Sequence, residues 1–120
     1  MSDPNGPPTA VEYESVAEPE LFSLLGKAHT MAILHEVLIE ADGPVRFGEL
    51  QAALDVSPNT LSRRLGELDD LGLLDRTQYD EIPPRVEYEP TAPLADLEPT
   101  FRELDRWMRQ YGDGGTDWTA

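Results

Sequence analysis

Ser57-Pro58-Asn59-Thr60-Leu61-Ser62-Arg63-Arg64-Leu65-Gly66-Glu67-Leu68-Asp69-Asp70-Leu71-Gly72 carries the start, the buried face and the stop of a single helix. Ser57 offers a side-chain oxygen to the free backbone N–H groups of a first turn. Pro58 falls at the first helical position, where its missing N–H costs nothing. Leu61, Leu65, Leu68 and Leu71 recur at helical spacing as one apolar face, and Gly72 ends it. Asn59, Ser62 and Arg63 lie roughly opposite that face, with Thr60 and Arg64 on a flank. Just upstream, residues 48–54 read as a short helix with Leu50, Ala53 and Leu54 turned inward. The turn Asp55-Val56-Ser57 joins the two helices, and so short a connection fits a helix-turn-helix.

Directly after Gly72 the apolar period changes to two. Residues 73–79 and 85–89 both alternate as strands, and Asp80-Glu81-Ile82-Pro83-Pro84 between them forms a stiff extended tip. A β-hairpin following a helix-turn-helix is a wing, here spanning about 73–89. The fold class expected is therefore mostly α with a small β-hairpin (α+β), a winged helix-turn-helix with a recognition helix over about 58–71.

Further outward, Leu21, Phe22, Leu24 and Leu25 suggest a short apolar helix that Gly26 ends. Met31, Leu34, Val37, Leu38 and Ala41 mark a second helix from about Ala28 to Glu40, broken by Asp42-Gly43-Pro44. Val45-Arg46-Phe47 is too short for more than an extended bridge. The last helix is expected from about Pro93 to Tyr111. Its apolar residues Leu94, Leu97, Phe101, Leu104, Met108 and Tyr111 step alternately by three and four, the spacing of a helix–helix seam. Glu98 with Arg102 and Asp105 with Arg109 form i,i+4 pairs on the opposite face. That seam, assisted by Leu21, Phe22, Leu24 and Leu25, predicts a homodimer held by the first and last helices. Residues 1–19, rich in proline and acid, are expected to be a flexible tail, 20–112 the folded domain, and 113–120 a second flexible end.

The 120 residues fit one domain with one modest core. Acidic residues number 24 against 9 basic ones, for a formal charge of −15, and Lys27 is the only lysine. The acids are spread along the chain rather than gathered in a tail. This composition resembles that of proteins from extreme halophiles of the haloarchaeal type, in which molar salt screens dense carboxylates. Bound K+ or Na+ at the acidic surface would then be expected. The absence of cysteine excludes disulfides, thiolate metal sites and thiol sensing within this chain. No apolar run is long enough to span a bilayer, so a cytoplasmic protein with no membrane partner is expected.

Against that acidic background, the ten residues 57–66 contain two arginines and no acid. Exclusion of carboxylates from one helix face points to an anionic partner, and an arginine fork matches both guanine O6/N7 and phosphate. The candidate DNA-binding residues are Ser57, Asn59, Thr60, Ser62, Arg63 and Arg64, with Arg46, Gln78 and Arg85 beside or on the wing. His29 and His35 are six residues apart and have no cysteine or third histidine to complete a zinc site, so no metal site is expected. Acidic pairs such as Asp69-Asp70 come without a nucleophile–base order or a Gly-rich phosphate loop, so no catalytic residue, cofactor or enzyme activity is expected.

Arg46-Phe47-Gly48-Glu49-Leu50, the Ser57–Leu65 run, Leu68 to Leu74 and the wing sequence Ile82-Pro83-Pro84-Arg85-Val86-Glu87-Tyr88 together resemble the HxlR family of winged-helix regulators over about residues 20–111. The resemblance implies a homodimeric transcription regulator that binds double-stranded DNA, with one recognition helix per subunit. It also marks departures. Many members of that family carry a sensing cysteine ahead of the first helix, and this chain has none. Ala28 stands where a tryptophan is usual after Gly26-Lys27, and Ala92-Pro93-Leu94 follows Thr91 where a glycine is common. The competing expectation is a winged-helix protein-interaction module within a transcription assembly. Nothing in the sequence marks a small-molecule effector.

Overall fold

The computed structural model describes residues 18–112. The tails expected at 1–19 and 113–120 lie outside these residues, except that Glu18 and Pro19 already belong to the first helix, α1 (Glu18–Leu25). Next, α2 (Thr30–His35) opens from His29 in the left-handed conformation, φ 70°. It continues through Glu36–Glu40 as a wider π-type turn, closed by a bond from Ala41 N to Glu36 O at 2.9 Å. The expected helix over 28–40 is thus shorter at its start and widened at its end, and the widening lets Val37 and Leu38 both face the core.

Val45 and Arg46 form β1, which leads into α3 (Phe47–Leu54) and then α4 (Pro58–Asp70). Only Leu50 and Leu54 of α3 are buried; Ala53, expected to point inward, is exposed. Ser57 caps α4 by accepting from Thr60 N at 3.3 Å, with Pro58 at the first position as its sequence requires. Gly72 takes φ 77° where the chain leaves α4, a conformation that a Cβ would strain.

β2 (Leu74–Tyr79) and β3 (Arg85–Pro90) pair antiparallel, with Thr77 opposite Glu87 and Tyr79 opposite Arg85. β1 joins the far side of β3, Val45 opposite Tyr88, so the sheet has three strands in the order β1-β3-β2. Val45 and Arg46 of the expected bridge therefore form a genuine strand, too short for periodicity to reveal, and Phe47 already opens α3. At the base of the wing, Thr91 Oγ1 donates to Gly72 O at 2.7 Å and its N–H to Leu73 O at 3.0 Å, tying the end of the hairpin to the end of α4.

The helix expected from Pro93 to Tyr111 is two helices, α5 (Ala92–Ala95) and α6 (Glu98–Tyr111). The chain turns between them at Asp96 and Leu97, and Pro99 in the first turn of α6 starts it afresh. One core holds Ile33, Leu34, Leu50, Leu61, Leu65, Leu68, Leu74 and Leu94, each almost fully buried, with Tyr88 and Phe101 at its edge. No described helix is long and apolar enough to cross a membrane.

The break also divides the expected seam. Leu94 and Phe101, like Leu24 of α1, are buried within the protomer, which corrects their assignment to a dimer face. Asp105, expected on the outer face beside Arg109, is instead buried against His35 of α2. The strict three-four count failed because a helix beginning at Glu98 turns a different stripe inward. Phe101 and Asp105 point in, while Thr100, Leu104, Trp107 and Tyr111 form a second stripe.

Candidate nucleic-acid interface

The Leu61/Leu65/Leu68 stripe seats α4 on the core and leaves the opposite face in solvent. Asn59, Ser62 and Arg63 are exposed on that face, as their spacing predicts, and Gly66 continues it. Arg63 enters no ion pair or hydrogen bond among the described residues. Ser57 and Thr60 are occupied in part with each other, Ser57 Oγ lying 3.0 Å from Thr60 Oγ1 at the start of the helix. The first turn carries no acid, so the partial positive charge of the helix N-terminus is uncompensated there.

Arg64 behaves differently from its neighbour. Its Nε donates to Ala28 O at 3.0 Å and its Nη1 to Glu67 Oε1 at 2.8 Å, and its side chain is only 12% exposed. Lys27 Nζ reaches the other oxygen of Glu67. The hydrogen bond from Lys27, reinforced by Arg64, holds the Glu67 carboxyl below the usual carboxylate range. Arg64 thus braces α4 against the α1–α2 turn, and the structure separates it from the exposed group around Arg63. Pairing of the α4 arginines with Glu67 is legible as a local helix contact, but the arms to Lys27 and Ala28 are not, because they lie 40 and 36 residues away.

The wing stands beside α4, with a cleft of about 290 Å³ between them lined by Phe47, Ser62, Gly66, Arg76, Val86 and Tyr88. Gln78 is exposed on β2 and lies 3.4 Å from Arg76 Nη2. Arg85 stacks over the Tyr79 ring at 4.0 Å and lies 3.2 Å from Glu81 and 3.6 Å from Glu87. Arg46 also approaches Glu87, at 3.9 Å, while remaining more than half exposed. The arginines expected to meet phosphate at the wing are thus partly balanced by carboxylates, and Ile82 at the tip is fully exposed.

The expected dimer residues sort by position. Phe22 and Tyr111 are exposed; Leu21, Leu25, Leu97, Leu104 and Met108 are half-buried. Trp107, which the strict spacing passed over, is 52% exposed, and its ring lies 5.5 Å from that of Tyr111. With Pro99, Thr100, Glu103 and Leu104 it lines an open, largely apolar groove along α6. Among the described residues no cluster of three His, Cys, Asp or Glu side chains could hold a metal ion.

Comparisons agree with this architecture. The HxlR-like helix-turn-helix family matches residues 24–115. A transcriptional regulator of Halalkalibacterium halodurans, BH0655, is 38% identical over 86 residues, covering 71% of this chain and 74% of that protein. The regulator YodB of Bacillus subtilis is 34% identical over 95 residues, covering 78% and 82% of the two chains. The solved structure of reduced YodB superposes with a TM-score of 0.65 at 30% identity, over 87% of this chain and all of that one. A MarR-family regulator structure from Porphyromonas gingivalis gives a TM-score of 0.68 at 26% identity, over 92% and 97% of the two chains. The chain belongs to the HxlR-like helix-turn-helix family of transcriptional regulators.

Proposed function

We propose that the protein is a homodimeric, sequence-specific reader of double-stranded DNA. In this reading α4 enters the major groove, and Asn59, Ser62 and Arg63 face base edges. The wing from Gln78 to Arg85 follows the backbone or minor groove, with Arg46 alongside. The observation that carries it is the stretch 57–66, which holds two arginines and no acid and exposes Arg63, on a chain of charge −15. The acid-free first turn supports it, since helix N-termini favour phosphate. Arg64 acts by bracing the helix rather than by touching DNA.

The dimer in this reading uses the α6 groove around Leu104, Trp107 and Tyr111, with Phe22 of α1 adding apolar surface. Thiol redox sensing has no residue to work through in these 120 positions. The dense carboxylates suit a salt-rich interior, where bound K+ or Na+ sit between acidic groups and DNA phosphates. The test is fluorescence anisotropy of the full chain against labelled duplex from upstream of its own gene, titrated in potassium chloride. Preference over an unrelated duplex of equal length supports the reading, and equal weak binding of both contradicts it.

A further inference from the structure

Lys27 and Arg64 each donate to a different oxygen of one carboxylate, and that carboxylate belongs to α4. We propose that Glu67 is a positioning residue for DNA recognition: through Lys27, Arg64 and the Ala28 carbonyl it fixes the pose of α4 relative to the α1–α2 turn. This rests on the reading of α4 as the DNA-facing helix.

The leucine stripe of α4 keeps the helix on the core, but apolar contact is non-directional and tolerates small slides and tilts. Charge-assisted hydrogen bonds are directional, and Arg64 makes two of them from a nearly covered position. The clasp acts one turn beyond Arg63, on the same helix, so a slip at Glu67 is transmitted along a rigid element to the exposed face. Bidentate base contacts do not survive misplacement, so the preferred site suffers more than random sequence.

Simple electrostatics makes the opposite prediction, which is what gives the test its edge. Removing a carboxylate beside DNA removes repulsion, so by charge alone Glu67→Gln tightens binding to every duplex. Positioning instead predicts a loss confined to the preferred one.

The experiment measures the affinity of the full chain for its preferred duplex and for a random duplex, at fixed potassium chloride. The variants are Glu67→Gln, Lys27→Met, Lys27→Arg and, as a charge control on the same helix, Asp69→Asn. Glu67→Gln is expected to lower affinity for the preferred duplex about tenfold, equivalent to about 1.4 kcal/mol, with random binding equal or tighter and circular dichroism showing the chain still folded at the assay temperature. Lys27→Met loses the same preference, and a Lys27→Met/Glu67→Gln double variant loses no more than either single change. Lys27→Arg retains the preference, and Asp69→Asn binds both duplexes equally well or more tightly. Glu67→Gln tracking Asp69→Asn overturns the inference while leaving the DNA reading intact. A wild-type chain without sequence preference overturns both.

Discussion

His35 Nε2 lies 2.9 Å from Asp105 Oδ2 and 3.1 Å from Oδ1, and both side chains are buried where α2 meets α6. This polar contact docks the last helix on the core at the point where the apolar stripe of α6 is interrupted. Removing either partner leaves the other buried with a lost bond, so Asp105→Ala and His35→Leu should each cost about 1–3 kcal/mol. Replacing both with leucine should give a chain more stable than the weaker single variant. Urea denaturation checks it; single variants as stable as the wild type would remove the contact from the account.

Glu36 sits next to this contact, and burial, then the nearby Glu40 charge, raises its carboxyl above the ordinary range. A raised acid opposes folding once it ionises, so the cost is absent below its ordinary value and appears as pH climbs through the raised one. Glu36→Gln should therefore stabilise the chain at pH 7, by a few tenths of a kcal/mol after solvent screening, and do nothing near pH 3. Glu67 has the opposite sign. Its depressed carboxyl contributes stability above the ordinary carboxylate value and loses it as pH falls through the folded one. Stability curves of wild type, Glu36→Gln and Glu67→Gln between pH 3 and 7 separate the two.

Much of the fold was legible because local signals were strong and agreed with one another. Ser57-Pro58 and Gly72 bracket α4 where the sequence says they should, and the change of period after Gly72 gives the hairpin. What stayed hidden depended on partners distant in sequence. Two residues of β1 become a strand only because Tyr88 and Glu87 lie opposite. Asp105 reads as a surface acid until His35, 70 residues away, is placed against it. Helix spacing puts Arg63 opposite the leucine stripe and Arg64 on its flank, but the bond from Arg64 to the Ala28 carbonyl, 36 residues away, is what engages Arg64. At the candidate site, residue type and helix face were readable, but the pairings that engage or release each arginine were not.

The division of the α6 stripes changes which substitutions probe the proposed dimer. Phe101 is core, so altering it would report on folding. Leu104→Lys with Trp107→Ser acts on the exposed groove and should raise the dimer dissociation constant at least thirtyfold, about 2 kcal/mol, as expected for a buried aromatic anchor. Light scattering reads the result. A wild-type monomer at working concentration, or a variant that remains dimeric, contradicts the use of this face.

Salt decides how so acidic a chain binds an acidic polymer. With about six phosphate contacts, raising salt from about 0.15 M to about 2 M would cost on the order of six decades of affinity. The partly neutralised wing arginines imply fewer such contacts, so affinity should depend only shallowly on potassium chloride above about 1 M, or even rise with it. A steep fall in molar salt, with circular dichroism showing the chain still folded, would refute this.

The most direct test of the central claim, that the exposed face of α4 reads sequence, is selection of duplexes from a random pool by the wild-type chain and by Arg63→Ala. The wild type should enrich a two-fold symmetric site. Arg63→Ala should lose discrimination at one symmetry-related position, about 1–3 kcal/mol on the preferred base, and keep the remainder of the profile. No enriched site, or an identical profile for Arg63→Ala, would contradict the account.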